Sequence, residues 1–151
     1  MKIVIQKVKE AKVIVEQEVV GEIKQGYMLL VGMETGDTDA DINKAVDKIA
    51  SIRLFDDADG KINLSIQDVG GAILSISQFT LAADCRKGNR PSFSNAMEPT
   101  QANTMFEAFN TGLRNHGIDV ETGIFQTHMN VVLDNDGPIT IILNIKDGKV
   151  I

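Results

Sequence analysis

The stretch Lys2-Ile3-Val4-Ile5-Gln6-Lys7-Val8 opens the chain with β-branched residues interleaved with polar ones, the period-2 pattern of a half-buried strand. Lys12 to Val15 repeats the pattern. Glu18 to Lys24 and Gly26 to Met33 continue it, broken at Gly21 and Gly26. Four β-type segments without an intervening helix predict hairpin-connected strands, and so a mainly antiparallel sheet.

Outward from this stretch the period changes to 3.6. Thr38 can cap a helix, with Asp41 three residues on and Ile42, Ala45, Val46, Ile49 and Ile52 on one face. Asp37, Asp39 and Asp41 lie where the positive end of that helix favours them. A tight turn is predicted at Asp56-Asp57-Ala58-Asp59-Gly60-Lys61. Its glycine is misplaced for a calcium loop, and no bidentate Glu follows at the right offset. Ala72 to Leu81 reads as a strand running into a polar loop, Ala82 to Asn95. A second helix has Pro99 in its first turn, sets Ala102, Met105, Phe106, Phe109 and Leu113 on one face, and stops near Gly117. Two final strands, Asn130 to Asp134 and Ile139 to Ile145, flank Asn135-Asp136-Gly137-Pro138. The expected fold is α+β, a single domain over residues 1–151, with two main helices against one face of the sheet.

Composition agrees with that picture. A chain of 151 residues is one domain's worth. Its folded surface should be roughly 7,500 Å² against roughly 24,000 Å² unfolded, enough burial for an ordinary core. With 43% hydrophobic and 24% charged residues, disorder is excluded. One cysteine, Cys85, excludes a disulfide-built scaffold. No apolar run approaches the roughly 18 residues of a membrane span, and Lys2 and Lys7 come too early for a signal-peptide core. A cytoplasmic protein with no membrane partner is expected. Twenty-one acids against fifteen bases leave −6, which argues against coating DNA or RNA non-specifically. A local basic patch that grips one nucleic-acid end is still compatible with it.

The conventional catalytic inventory is short. His116 falls in the last turn of a helix, and His128 has no ligand pattern around it, so no metal site and no cofactor is expected. Cys85 stands between Asp84 and the cations Arg86 and Lys87, which can activate a thiol or merely solvate a loop. Two segments carry polar groups at strand ends. Ser77-Gln78-Phe79-Thr80-Leu81 is either a site or a strand end with Phe79 inward and its neighbours outward. Asn135-Asp136-Gly137-Pro138-Ile139-Thr140 contains an ordinary hairpin signal, Asp-Gly, followed by a proline that removes a donor where the returning strand should pair. A Gly-Pro bond can be cis or trans, and the sequence leaves this open. Arg86, Lys87 and Arg90 put three cations within five residues of an acidic chain.

Together these segments resemble the D-aminoacyl-tRNA deacylase family of the Gly-cisPro type, also called D-tyrosyl-tRNA deacylase. The anchors are Ser77 to Leu81 and Asn135 to Thr140. Lys87 to Phe93, Thr122-Gly123-Ile124-Phe125 and Asp59 to Asn63 support them, and the match covers nearly the whole chain. The resemblance implies a curved, barrel-like sheet and a homodimeric hydrolase that cleaves the ester between a D-amino acid, or mischarged glycine, and the 3′-terminal adenosine of tRNA. It implies that Gly137 and Pro138 enter the partner subunit's site and crowd the substrate α-carbon, excluding L side chains. Backbone N–H groups at Phe79 and Thr80 would form the oxyanion hole. Ser77, Gln78, Phe125 and Met129 would line the substrate pocket, and Arg86, Lys87 and Arg90 are candidates for tRNA phosphates. Water oriented by the ribose 2′-hydroxyl and a covalent role for Thr80 are both open.

Two departures bear on detail. Lys7 stands where the family commonly has Arg, and Gln126-Thr127 stand where it usually has small residues. Three other readings are a non-catalytic RNA-end or protein-binding module, a thiol hydrolase or redox protein built on Cys85, and a structural oligomer.

Overall fold

The computed structural model describes residues 1–151. Nine strands form: β1 Lys2–Val15, β2 Glu18–Ile23, β3 Gly26–Gly32, β4 Arg53–Asp56, β5 Ile62–Ser65, β6 Ala72–Ser77, β7 Val120–Thr122, β8 Asn130–Lys146 and β9 Lys149–Val150. Helices are α1 Asp39–Ser51, the one-turn α2 Ile66–Val69 and α3 Pro99–Asn115, with a 3-10 turn at Phe79–Ala82. The main sheet runs β7-β6-β3-β1-β8-β9, with β2 also paired to β1; β4 and β5 form a separate hairpin.

The sheet is mixed. β1 pairs antiparallel with β2, β3 and β8, but β3–β6 and β6–β7 are parallel. The expected hairpin order therefore fails beyond β3. The chain leaves β3 through α1, the β4–β5 hairpin and α2, and such a crossover returns it parallel to its starting strand. The end strands β7 and β9 do not pair with each other, so hydrogen bonding does not close the sheet into a barrel.

Two cores lie on its faces. Ile3, Ile5, Tyr27, Leu29, Val31 and Ile73 face α1 and α3, whose buried residues Ile49, Phe106, Phe109 and Leu113 complete the larger core. Met28, Leu74 and Ile76, the opposite face of the same strands, meet Val8, Ala11, Val13 and Ile23. β1 thus serves one core with Ile3 and Ile5 and the other from Val8 onward. The change of parity happens at Lys7, where period-2 alternation breaks. From there β1, β2 and the start of β8 curl over the far face of β3 and β6. Gly21 permits this, since a Cβ there would sit 2.7 Å from the Thr122 carbonyl oxygen.

Opposite that break, β8 bulges. Gln6 pairs with Thr140 and Val8 with Asn135, so four β8 residues, Asp136 to Ile139, oppose Lys7 alone. The two expected final strands are one continuous strand, and Asn135 to Pro138 are its bulge rather than a hairpin turn. The Gly137–Pro138 peptide is cis.

The two main helices form as their sequences predict, and the one-turn α2 is unexpected. Asp41 accepts from the Thr38 N–H at 2.8 Å, closing the start of α1. Glu98 caps α3, accepting from the Thr100 and Gln101 N–H groups at 2.9 and 3.0 Å, with Pro99 next. The Asp57 carboxylate accepts from the N–H groups of Asp59 and Lys61 and from Asn63 Nδ2, which accounts for the acidic turn without an ion. No helix is long and apolar enough to cross a membrane.

Candidate active site

β6 is buried from Ile73 to Ile76 and held between β3 and β7. It ends at Ser77, not at Leu81 as its composition suggests. The Gln78 N–H still donates to the Val31 carbonyl at 2.8 Å, after which the chain tightens into the 3-10 turn. Gly32 makes room for that turn: a Cβ there would lie 2.9 Å from Leu81 Cβ. The turn's first N–H groups, those of Phe79 and Thr80, have no acceptor three residues back within it. Phe79 is not inward but 57% exposed.

Beside the turn opens a cleft of about 740 Å³, mostly apolar in its lining. Ser77, Gln78 and Phe79 line it on one side, and Phe125 and Met129 on another. Five of the residues expected to hold substrate thus meet in one cavity, drawn from the end of β6 and the segment before β8. Thr80 stands beside the cleft and is not one of its walls; its Oγ1 accepts from Gln78 Nε2. An amide, not a base, is bonded to that hydroxyl.

The remaining candidates lie elsewhere. Gly137 and Pro138 are exposed in the β8 bulge and line no part of this chain's own cleft. Arg86, Lys87 and Arg90 sit on an exposed loop closed by a bridge between Asp84 and Ser92. Arg86 is committed to Asp84, donating from Nε and from Nη2, the latter at 2.6 Å. Those bonds push the Asp84 carboxyl down to about 2. Cys85 is exposed on the same loop and outside the cleft, which removes the reading built on its thiol from the cavity.

Phe93, Glu98 and His128 are among the cleft residues that the sequence does not single out as site candidates. Glu98 is recognisable as an acid just before a helix-initiating proline, and the Thr100 and Gln101 N–H groups hold its carboxyl below its ordinary value. Phe93 closes a stretch that already stood out for its cations. Nothing local marks His128; the start of β8 carries it to the cleft.

A cavity of this size with an apolar lining, a few convergent amides and hydroxyls and unpaired N–H groups at one rim suits an ester that is positioned and polarised rather than attacked by a strong side-chain base.

Comparison with known proteins extends the geometry. The family model described as D-Tyr-tRNA(Tyr) deacylase matches residues 4–144. A protein of Staphylococcus haemolyticus named D-aminoacyl-tRNA deacylase is 52% identical over 151 residues, all of both chains. One of Anoxybacillus flavithermus with the same name is 55% identical over 146 residues, 97% of this chain and all of that one. Among solved structures, one described as the c-Myc DNA Unwinding Element Binding Protein superposes with a TM-score of 0.90 at 37% identity, covering 95% of this chain and 98% of that one. With the family model spanning nearly its whole length, this chain belongs to the D-Tyr-tRNA(Tyr) deacylase family.

Proposed function

We propose that this protein hydrolyses the ester of D-aminoacyl-tRNA, releasing free tRNA and the D-amino acid, and clears glycine mischarged on tRNA in the same site. The observation that carries the reading is the convergence of Ser77, Gln78 and Phe79 with Phe125 and Met129 on one cleft, beside a turn whose first N–H groups point to no partner of its own. An aminoacyl ester is already activated. Main-chain donors at Phe79 and Thr80 stabilise the developing oxyanion, and the ribose 2′-hydroxyl next to the ester orients the water. Thr80 binds and shapes; it is not the nucleophile.

Chirality is sensed by a main-chain wall. A side-chain pocket separates substrates differing by a methylene by only roughly 1–3 kcal/mol. Rejecting every L side chain while admitting many D ones needs a barrier at the α-carbon, and glycine passes such a barrier. In this reading Gly137 and Pro138 form it for a second copy of the chain. Their exposure, and their absence from the walls of their own chain's cleft, suit that role. The isolated chain also exposes 8534 Å², roughly 1,000 Å² above the expectation for its mass, and Ile142 on β8 is 66% exposed. A homodimer is the assembly this implies. The name of the solved relative with a TM-score of 0.90 refers to a DNA element; with a net charge of −6 this chain is read as a tRNA-end enzyme.

Hydrolysis of matched D-, L- and glycyl-tRNA tests the proposal. Release of tRNA from the D and glycyl esters with the L ester intact is expected. Equal cleavage of both mirror forms would overturn the chiral wall. Protection of the D ester without release would leave a binding module.

A further inference from the structure

Phe79 and Phe93 form an edge-to-face pair at the cleft, with ring centroids 5.2 Å apart and planes at 69°. Both are large apolar side chains left in water, 57% and 37% exposed. Neither belongs to either core. Phe93 is placed firmly: it follows the Asp84–Ser92 bridge, whose two N–H···O bonds measure 2.8 and 2.9 Å, and the next turn ties Met97 N–H to Met33 O. The loop closed by that bridge carries Arg86, whose charge Asp84 neutralises, and Lys87 and Arg90, which make no ion pair. An acidic chain therefore sets two free cations on the loop that delivers an exposed aromatic ring to the cleft.

Aromatic faces for bases alongside cations for phosphates are how proteins track single-stranded nucleic acid. We propose that the Phe79–Phe93 pair, through Phe93, is the stacking platform for the nucleotide immediately 5′ of the terminal adenosine, with Lys87 and Arg90 beside the phosphates that follow. This rests on the deacylase reading and adds to it a second base subsite. The terminal nucleoside carries the ester and must lie within the cleft, next to the Phe79 and Thr80 N–H groups. The base before it leaves the cleft across its rim, where the exposed rings stand. Stacking tolerates any base, so the platform holds the strand without selecting among tRNAs.

The test compares kcat/KM for D-aminoacyl-adenosine with that for the same ester on a cytidylyl-adenosine dinucleotide, in the wild type, Phe93→Ala and Phe93→Trp. The quantity read is the gain from adding the second nucleotide, a ratio that a general loss of activity does not move. Wild type and Phe93→Trp should gain roughly 5- to 150-fold. Phe93→Ala should gain only a small fraction of that, as should the wild type with an abasic residue in place of the cytosine. A gain that survives Phe93→Ala or the abasic substitution overturns the platform. Failure of the wild type to cleave any of these esters, or full D-aminoacyl-tRNA, would instead sink the deacylase reading.

Discussion

Lys7 Nζ lies 3.7 Å from Asp136 Oδ2, joining the point where β1 changes cores to the residue that precedes Gly137 and Pro138 in the β8 bulge. The lysine side chain is 7% exposed and its ammonium also lies 5.4 Å from the centre of the Phe55 ring; the aspartate is 34% exposed. Asn135 adds to the anchoring. In the amide orientation its neighbours favour, it donates to the Lys7 and Ile139 carbonyls and accepts from Gln6 Nε2 and Thr140 Oγ1. The bulge that carries Gly137 and Pro138 is thus fixed by side chains on both strands.

The asymmetry of exposure sets the first prediction. Asp136→Ala leaves a buried ammonium without its anion and should cost about 1–3 kcal/mol. Lys7→Met keeps the apolar stem over Phe55 and leaves a carboxylate that water reaches, and should cost below about 1 kcal/mol. Urea denaturation of the two variants checks the order, and the reverse order would mean that the pair does not anchor the bulge.

Asp41 supplies a pH dependence. Burial alone would raise its pKa, but the Gly148 N–H, the Thr38 N–H and hydroxyl and the nearby N-terminal ammonium outweigh that, and the net shift is downward from 3.8. A depressed carboxylate contributes stability that is complete above its unfolded pKa and lost as pH falls through the folded value. Stability should therefore drop below about pH 4. Asp41→Asn should lose about 1–3 kcal/mol at pH 7 and show a flatter acid limb in urea midpoints measured from pH 7 to pH 3. An acid limb unchanged by the substitution would assign the dependence to other groups.

What the sequence disclosed and what it withheld divide along local and non-local physics. The Thr38 cap, Pro99 in the first turn of α3 and the 3.6-residue spacing of Ile42 to Ile49 and of Met105 to Leu113 are local, and both main helices form as read. Asp136-Gly137 is a local turn signal too, yet it misleads, because β1 runs unbroken past it and pairs with both sides. Likewise β6 pairs parallel with β3, a choice made by the crossover between them and invisible in Ala72 to Ser77. At the site, Ser77, Gln78, Phe79, Phe125 and Met129 are expected through the family pattern, and they line one cleft. Glu98 and His128 reach the cleft only because α3 and β8 start there.

Gly26 tests the parallel pairing that aims β6 at the cleft. A Cβ at this position would fall 1.7 Å from the Ala72 carbonyl oxygen, backbone that cannot move without separating β3 from β6. Gly26→Ala should cost more than about 3 kcal/mol. Gly60, with φ +75 and open space around it, is the control. Gly60→Ala should cost about 1 kcal/mol, from backbone conformation alone. Thermal unfolding of the two proteins separates the effects, and equal losses would remove the steric argument.

Substitutions of Thr80 test how the ester breaks. Its hydroxyl is bonded to the Gln78 amide, an arrangement that orders the cleft rim but does not take up a proton. If main-chain donors and the substrate's own hydroxyl do the chemistry, Thr80→Ala removes one positioning contact, and single-turnover hydrolysis of D-aminoacyl-tRNA should slow by less than about tenfold. A nucleophile's removal costs more than about 10⁴-fold, so a loss of that size with the protein still folded would make Thr80 the attacking group. Thr80→Leu should block the site under either mechanism, because the added bulk stands against Gln78 at the cleft. A 2′-deoxy terminal adenosine separates them: it should abolish turnover by the wild type if the substrate orients its own water, and leave a covalent route running.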